Sequence, residues 1–283
     1  MLRKKIVKRA LPGLIIVFLL VVGFVVAVKY VDGQLENRSY AGVYHDCHKI
    51  WATRGLVLAG PEITPTGTQN SIESIQLAFD RGARGTEVDV LFDTEMGQFI
   101  VSHDLPYNLK NGKLLTLEAL FEQTGGGGYF WIDFKKIRKL SDRQLDASVA
   151  EMERLAQKFD IKKWIYVEGE TPFSLAAYRD AGFYTIYDTH PRPDSNPFTP
   201  LIVNLYKMVF YFGDFTVMAM NYGAMDNPRY GPRTQELLGD IPLFIYHIED
   251  DAEALDKLVN NDAVRVILVR DHSLDRYQLN ACP

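Results

Sequence analysis

Two carboxylates, Glu87 and Asp89, stand two residues apart in "ARGTEVDVLFDTEMGQFIVSHD" (83–104), which runs on into His103 and Asp104. Along a strand, residues i and i+2 share a face. Glu87 and Asp89 therefore occupy one side, and Val88 and Val90 the other. No basic residue lies between the two acids. Like charges this close call for a counter-charge, and a divalent cation supplies one, because hard cations prefer carboxylate oxygens. The spacing recurs in "YFWIDFKK" (129–136), where Asp133 and Lys135 are also two apart. Three acids from neighbouring strands, Glu87, Asp89 and Asp133, complete a hard-metal site with positions left open for water or substrate. Arg54, in Thr53-Arg54-Gly55, and Lys135 suit the surroundings to a phosphate anion. His103 is able to move a proton near neutral pH. Taken singly, these residues also read as an exposed edge strand, an ion pair and a surface histidine. Their joint placement at strand ends favours a site.

The elements that must position them follow from the apolar pattern. Short apolar or β-branched runs at 50–53, 85–92, 129–134, 164–168, 183–188, 215–221, 243–247 and 264–269 alternate with amphipathic stretches such as "SIESIQLAFDRG" and "LDASVAEMERLAQKFD". Strand–helix alternation implies a parallel sheet. Eight such strands predict a closed (βα)8 TIM-type barrel. A further run, "GQFIVSH", is separated from the second strand by "DTEMG" alone, too short for a parallel crossover. It is predicted to turn back as an antiparallel hairpin, carrying His103 to the C-terminal strand ends, where barrel enzymes place their chemistry.

At 283 residues, 47% hydrophobic and 24% charged, the chain can bury one large core. A net charge of −5, without long charged runs, argues against nucleic acid as a partner. Residues 1–10 form a basic flank, and 11–28 carry no charge. Those eighteen residues span about 27 Å as a helix, close to the thickness of a bilayer core. Val26-Ala27-Val28-Lys29 is a poor cleavage site. A single-pass transmembrane helix is therefore predicted, with its N-terminus cytoplasmic, a linker over 29–46 and an extracytoplasmic barrel over 47–283. In that compartment Cys47 and Cys282 are candidates for a disulfide. The segment "NPFTPLIVNLYKMVFYFGDF" (196–215) reads as a barrel helix packing on the strands. Val209 to Phe212 are consecutive apolar residues, however, which leaves another side of that helix suited to a lipid surface.

The chain resembles the glycerophosphodiester phosphodiesterases of the phospholipase-C-like barrel superfamily. Their pattern is His-Arg-Gly, Glu-Asn-Ser/Thr, Glu-x-Asp, His-Asp and Glu-x-Lys. Here it reads Thr53-Arg54-Gly55, Gln69-Asn70-Ser71, Glu87-Val88-Asp89, His103-Asp104 and Asp133-Phe134-Lys135. The resemblance covers roughly residues 48–272 and is strongest over 53–135, with Tyr246 where an aromatic lines the family's pocket. It implies a divalent-metal phosphodiester hydrolase acting on glycerophosphodiesters or lysophospholipids. By that match Glu87, Asp89 and Asp133 hold Mg²⁺ or Ca²⁺, Arg54 and Lys135 contact phosphate, and His103 is an acid/base. Asp133 in place of Glu is a mild departure, similar to the sphingomyelinase-D-like branch, and Gln69 removes a charge. Thr53 is the serious one, because it replaces one of the family's two catalytic histidines. His48 lies on the opposite strand face, about 16 Å toward the barrel bottom, and cannot substitute. His190, His247 and His272 fall at or just past predicted strand ends and are candidates. Two other functions remain open: a non-catalytic phosphodiester-binding barrel, and a lyase-type enzyme giving a cyclic phosphate.

Overall fold

The computed structural model describes residues 2–56, 69–110, 112–169, 171–248 and 251–270, with side chains from Ile15 onward. His272 and Cys282, and with Cys282 the expected bridge to Cys47, lie outside the described residues. The strands are β1 (Ile50–Ala52), β2 (Gly85–Asp93), β3 (Gln98–Val101), β4 (Tyr129–Phe134), β5 (Ile165–Gly169), β6 (Tyr184–Thr189), β7 (Val217–Asn221), β8 (Gly223–Ala224), β9 (Asn227–Pro228), β10 (Leu243–Tyr246) and β11 (Val264–Val269). Parallel pairing runs from β2 through β4, β5, β6, β7, β10 and β11 to β1, and β1 pairs back onto β2. The barrel is closed, and each of the eight predicted strands is one of its staves. β3 runs antiparallel to β2, with Val101 opposite Val90. The small β8–β9 ribbon has no counterpart in the sequence reading.

The helices are α1 (Leu2–Glu36), α2 (Ile72–Asp80), α3 (Leu117–Thr124), α4 (Asp142–Phe159), α5 (Pro172–Asp180), α6 (Thr199–Gly213), α7 (Pro232–Leu238) and α8 (Ala252–Val259). Their starts are written in side chains that accept otherwise unpartnered amide protons. Ser71 and Ser74 form a capping box on α2, Thr116 accepts from the Ala119 amide on α3, and Asp251 from the Ala254 amide on α8.

Alternation along the strands sorts the core into two shells. Val88, Val90, Phe130 and Ile132 point outward and are buried against the helices. Trp51, Trp131, Tyr166 and Phe244 point inward and, with Tyr44 from the segment before β1, fill the lower barrel. Trp51 stacks on Tyr129 with centroids 5.5 Å apart. This plug requires Gly85, because a Cβ there would fall 2.3 Å from the Trp51 ring.

α1 is long and apolar enough over Ile15–Glu36 to cross a membrane. It remains helical past Lys29 to Glu36, where the sequence reading expected a polar linker. The reason is packing: Val31 and Leu35, one turn apart, are both buried in the core cluster. Asp32 pairs with Lys207 of α6, Tyr30 meets Tyr211 edge-on, and Arg38 pairs with Asp214 at 2.8 Å. α6 turns Val203, Lys207 and Phe210 inward and leaves Leu201, Leu205 and Phe212 exposed.

Candidate active site

Glu87 and Asp89 point into the barrel from the upper half of β2, and β4 sets Asp133 in register beside Asp89. Ligand atoms from Glu87, Asp89 and Asp133 all lie within 4.8 Å of one another. They sit at the base of a cavity of about 390 Å³ at the C-terminal strand ends, which is also lined by Arg54, His103, Lys135 and Tyr246. The residues expected at the site thus converge, with Asp89 buried beneath the others.

Electrostatics set the character of this cluster. Asp89 is fully buried and well partnered. Arg54 Nε lies 2.7 Å from its Oδ2, the Asn70 side-chain amide donates to the same oxygen at 2.7 Å, and Lys135 Nζ lies 3.0 Å from Oδ1. Asn70 Oδ1 accepts in turn from the Asp89 amide at 3.1 Å. Arg54 and Asn70 both hold left-handed backbone, φ +59° and +55°. Such conformations persist where surroundings over-determine them, and they concentrate at functional sites. Glu87 is different: its Oε2 is buried with neither hydrogen bond nor ion pair among the described residues, whereas Asp89 Oδ1, also without a hydrogen bond, keeps the Lys135 ammonium. Burial, then the charges of Asp89 and Asp133, push the Glu87 carboxyl well above its usual range. Burial likewise raises Asp133 to about 6, although Lys135 opposes the shift. Lys135 is raised as well: burial opposes the shift, but the charges of Asp133 and Asp89 outweigh it and hold its proton. An orphaned carboxylate oxygen beside two more acids fits a hard divalent cation, which would satisfy Glu87 and remove the repulsion.

Sequence reasoning missed two acids. Glu168 of β5 is in register beside Asp133, accepts from the Trp131 indole and lines the same cavity. Burial, followed by the charges of Asp133 and Asp188, raises it well above the usual carboxyl range. Asp188 of β6 accepts from the Tyr246 hydroxyl at 2.9 Å and lies 3.2 Å from His190 Nε2. The signal was present, since three successive strands, "FWID", "IYVE" and "TIYD", each carry an acid at their upper end.

His103 Nδ1 bonds Asp104 Oδ2 at 2.6 Å, and the hairpin brings its ring to the cavity wall. Thr53 does not line the cavity. His190 and His247 both do. Asn221 Nδ2 donates to His247 Nδ1 at 2.9 Å. Burial, then Arg270, Arg54 and Lys135, hold His247 below the usual imidazole value. His48 is paired with Asp46 ahead of β1, remote from the mouth.

No protein-family model matches the sequence, and a search of curated proteins found no match. Solved structures share the fold. A glycerophosphodiester phosphodiesterase from Parabacteroides distasonis superposes with a TM-score of 0.58 at 16% identity, covering 82% of this chain and 96% of that one. One from Thermotoga maritima gives 0.56 at 17%, covering 83% and 98%. An Oleispira antarctica phosphodiesterase in complex with the product sn-glycerol-3-phosphate gives 0.56 at 12%, covering 86% and 98%. At these identities the likeness is one of fold, and the fold is the one the motif pattern implied.

Proposed function

We propose that this chain is a membrane-tethered phosphodiester hydrolase that uses one divalent cation, Mg²⁺ or Ca²⁺, and acts on glycerophosphodiesters or lysophospholipids. The observation that carries the reading is the convergence of Glu87, Asp89 and Asp133 within 4.8 Å, with Glu87 left unsatisfied, in a cavity that also holds Arg54 and Lys135. Glu87, Asp89 and Asp133 would hold the cation, which would supply Lewis-acid withdrawal of charge from a phosphoryl oxygen. Arg54 and Lys135, now paired to Asp89, turn to the phosphate and stabilise the charge that develops on it. His103, with Nδ1 fixed by Asp104, presents Nε2 to donate a proton to the leaving alkoxide or to take one from the attacking group. His247 supplies the second imidazole that Thr53 does not, with Asn221 on Nδ1 and the opposite nitrogen left for the substrate. The glycerol-3-phosphate bound to the Oleispira fold relative supports the glycerophosphodiester class.

A binding-only barrel is the second reading, favoured by Thr53. The test is full-length chain in detergent, incubated with a panel of glycerophosphodiesters and lysophospholipids with and without chelator, products being followed by phosphorus NMR. Cation-dependent alcohol release that Asp133→Ala abolishes is the expected result, and a cyclic phosphate product would assign the lyase route. No release above the Asp133→Ala background, with diester binding intact, would make the chain a binder.

A further inference from the structure

We infer that the barrel docks mouth-first on the bilayer, so that the rim around its cavity is a lipid-contacting surface. This rests on α1 crossing the membrane, as in the proposed function, and it names what the site faces. The argument starts from how α1 and α6 lie together. Val28 and Asn204 line one cleft, Asp32 pairs with Lys207, and Arg38 pairs with Asp214. The two ion pairs advance in the same order, separated in sequence by 175 and 176 residues, with Arg38 and Asp214 just past the ends of the two helices; only the long Tyr30 and Tyr211 side chains reach across that order. The two helices therefore run side by side in the same direction, and the N-terminal end of α6 points back toward the apolar span.

That end of α6 belongs to the mouth. The helix follows β6, whose C-terminal end carries Asp188 at the cavity, and its own C-terminus leads through Phe215 into the start of β7. By the same offset Leu201 lies level with Val25, four residues before Lys29. At 1.5 Å per residue, that sets the rim about 6 Å to the membrane side of the first charge after the span. The descending part of α1 then runs to the barrel bottom, where Tyr44 joins the aromatic plug.

Exposed apolar side chains give an independent observation. Among the described residues outside α1, Met96 sits at the tip of the β2–β3 hairpin, and Leu105, Leu109 and Leu114 lie in the connection after β3. Phe173, 89% exposed, and Phe198, 64% exposed, stand at the starts of α5 and α6, with Leu201 and Leu205 just beyond. All of these except Leu205, near the midpoint of α6, belong to the C-terminal side of the barrel. The remaining large exposed apolar residue, Phe212, lies near the far end of α6. An apolar rim concentrated at one end suits an interface, where aromatic and aliphatic side chains settle at the headgroup boundary. Lys136, Arg138 and Lys139 line the cavity just inside it, a charge suited to lipid phosphates. The diester presented to the site is then one held at the lipid surface.

The test uses the full chain in phosphatidylcholine nanodiscs containing nitroxide-labelled lipid, with a fluorophore placed singly at Phe173→Cys, Phe198→Cys or Lys163→Cys. All three positions are exposed, and Lys163 precedes β5 at the opposite end of the barrel. Quenching at least several-fold stronger at 173 and 198 than at 163 is expected. Equal quenching at the three positions, or stronger quenching at 163, would overturn the docking. Because the readout is depth, a chain that fails to hydrolyse any diester still decides it, and a correctly docked chain without turnover would count only against the hydrolase.

Discussion

Asp133 lies directly beside Asp89 in the parallel register of β4 and β2, and Lys135, two residues on, reaches both carboxylates. With Arg54 also on Asp89, two cations face three acids, and Glu87 is the acid left without an ion pair, so the cluster is one charge short of balance. Isothermal titration of Mg²⁺ or Ca²⁺ into the full chain should show one site. Asp133→Ala should weaken it roughly 100-fold or more, since even groups that merely orient ligands are worth 10–100-fold. Equal affinity in the two proteins would remove the site.

The raised carboxyls give the cation a pH signature. Asp133 titrates at about 6 in the folded chain against 3.8 unfolded, and Glu87 is shifted the same way. A raised carboxyl favours the folded state at low pH, and that contribution is lost as pH rises through the folded value. A bound cation needs both groups ionised and so competes with their protons. The rise in thermal midpoint on adding cation should therefore be larger at pH 8 than at pH 5. A rise independent of pH would place the cation elsewhere.

His103→Ala should lower turnover by about 10² or more, the usual scale for a general acid or base. The ring is partly exposed at the mouth, so the thermal midpoint should stay within a few degrees. Activity retained within a few-fold would exclude His103 as the proton-transfer group.

Gly85→Ala should destabilise the chain by about 1–3 kcal/mol, since the added methyl overlaps a Trp51 ring held on all sides by the aromatic plug. Thermal denaturation of the detergent-solubilised protein measures this. An unchanged midpoint would mean the plug can shift.

The staves were legible because each apolar run is short and bounded by a helix with a different period, and the hairpin followed from the five residues of "DTEMG". Glu87 and Asp89 were legible from spacing, since i and i+2 fix the face, and Asp133 from its i+2 partner Lys135 on the next barrel strand and from the family pattern. Glu168 and Asp188 were not, because neither has a charged i+2 neighbour in its strand, and only the register across β4, β5 and β6 brings them to one cavity. The helical continuation of α1 escaped for a related reason. Val31 and Leu35 are two apolar residues among polar ones, and their burial depends on α6, more than 160 residues away in the chain.

Trp51, Tyr44, Tyr166 and Phe244 close the lower barrel completely, each buried to within a few per cent. Among the described residues a ligand therefore has a single doorway, and whatever leaves retraces the path of whatever arrived. The two cannot pass. In the proposed hydrolysis, the last product to leave must clear that opening before the next substrate enters, so inhibition by that product should be competitive.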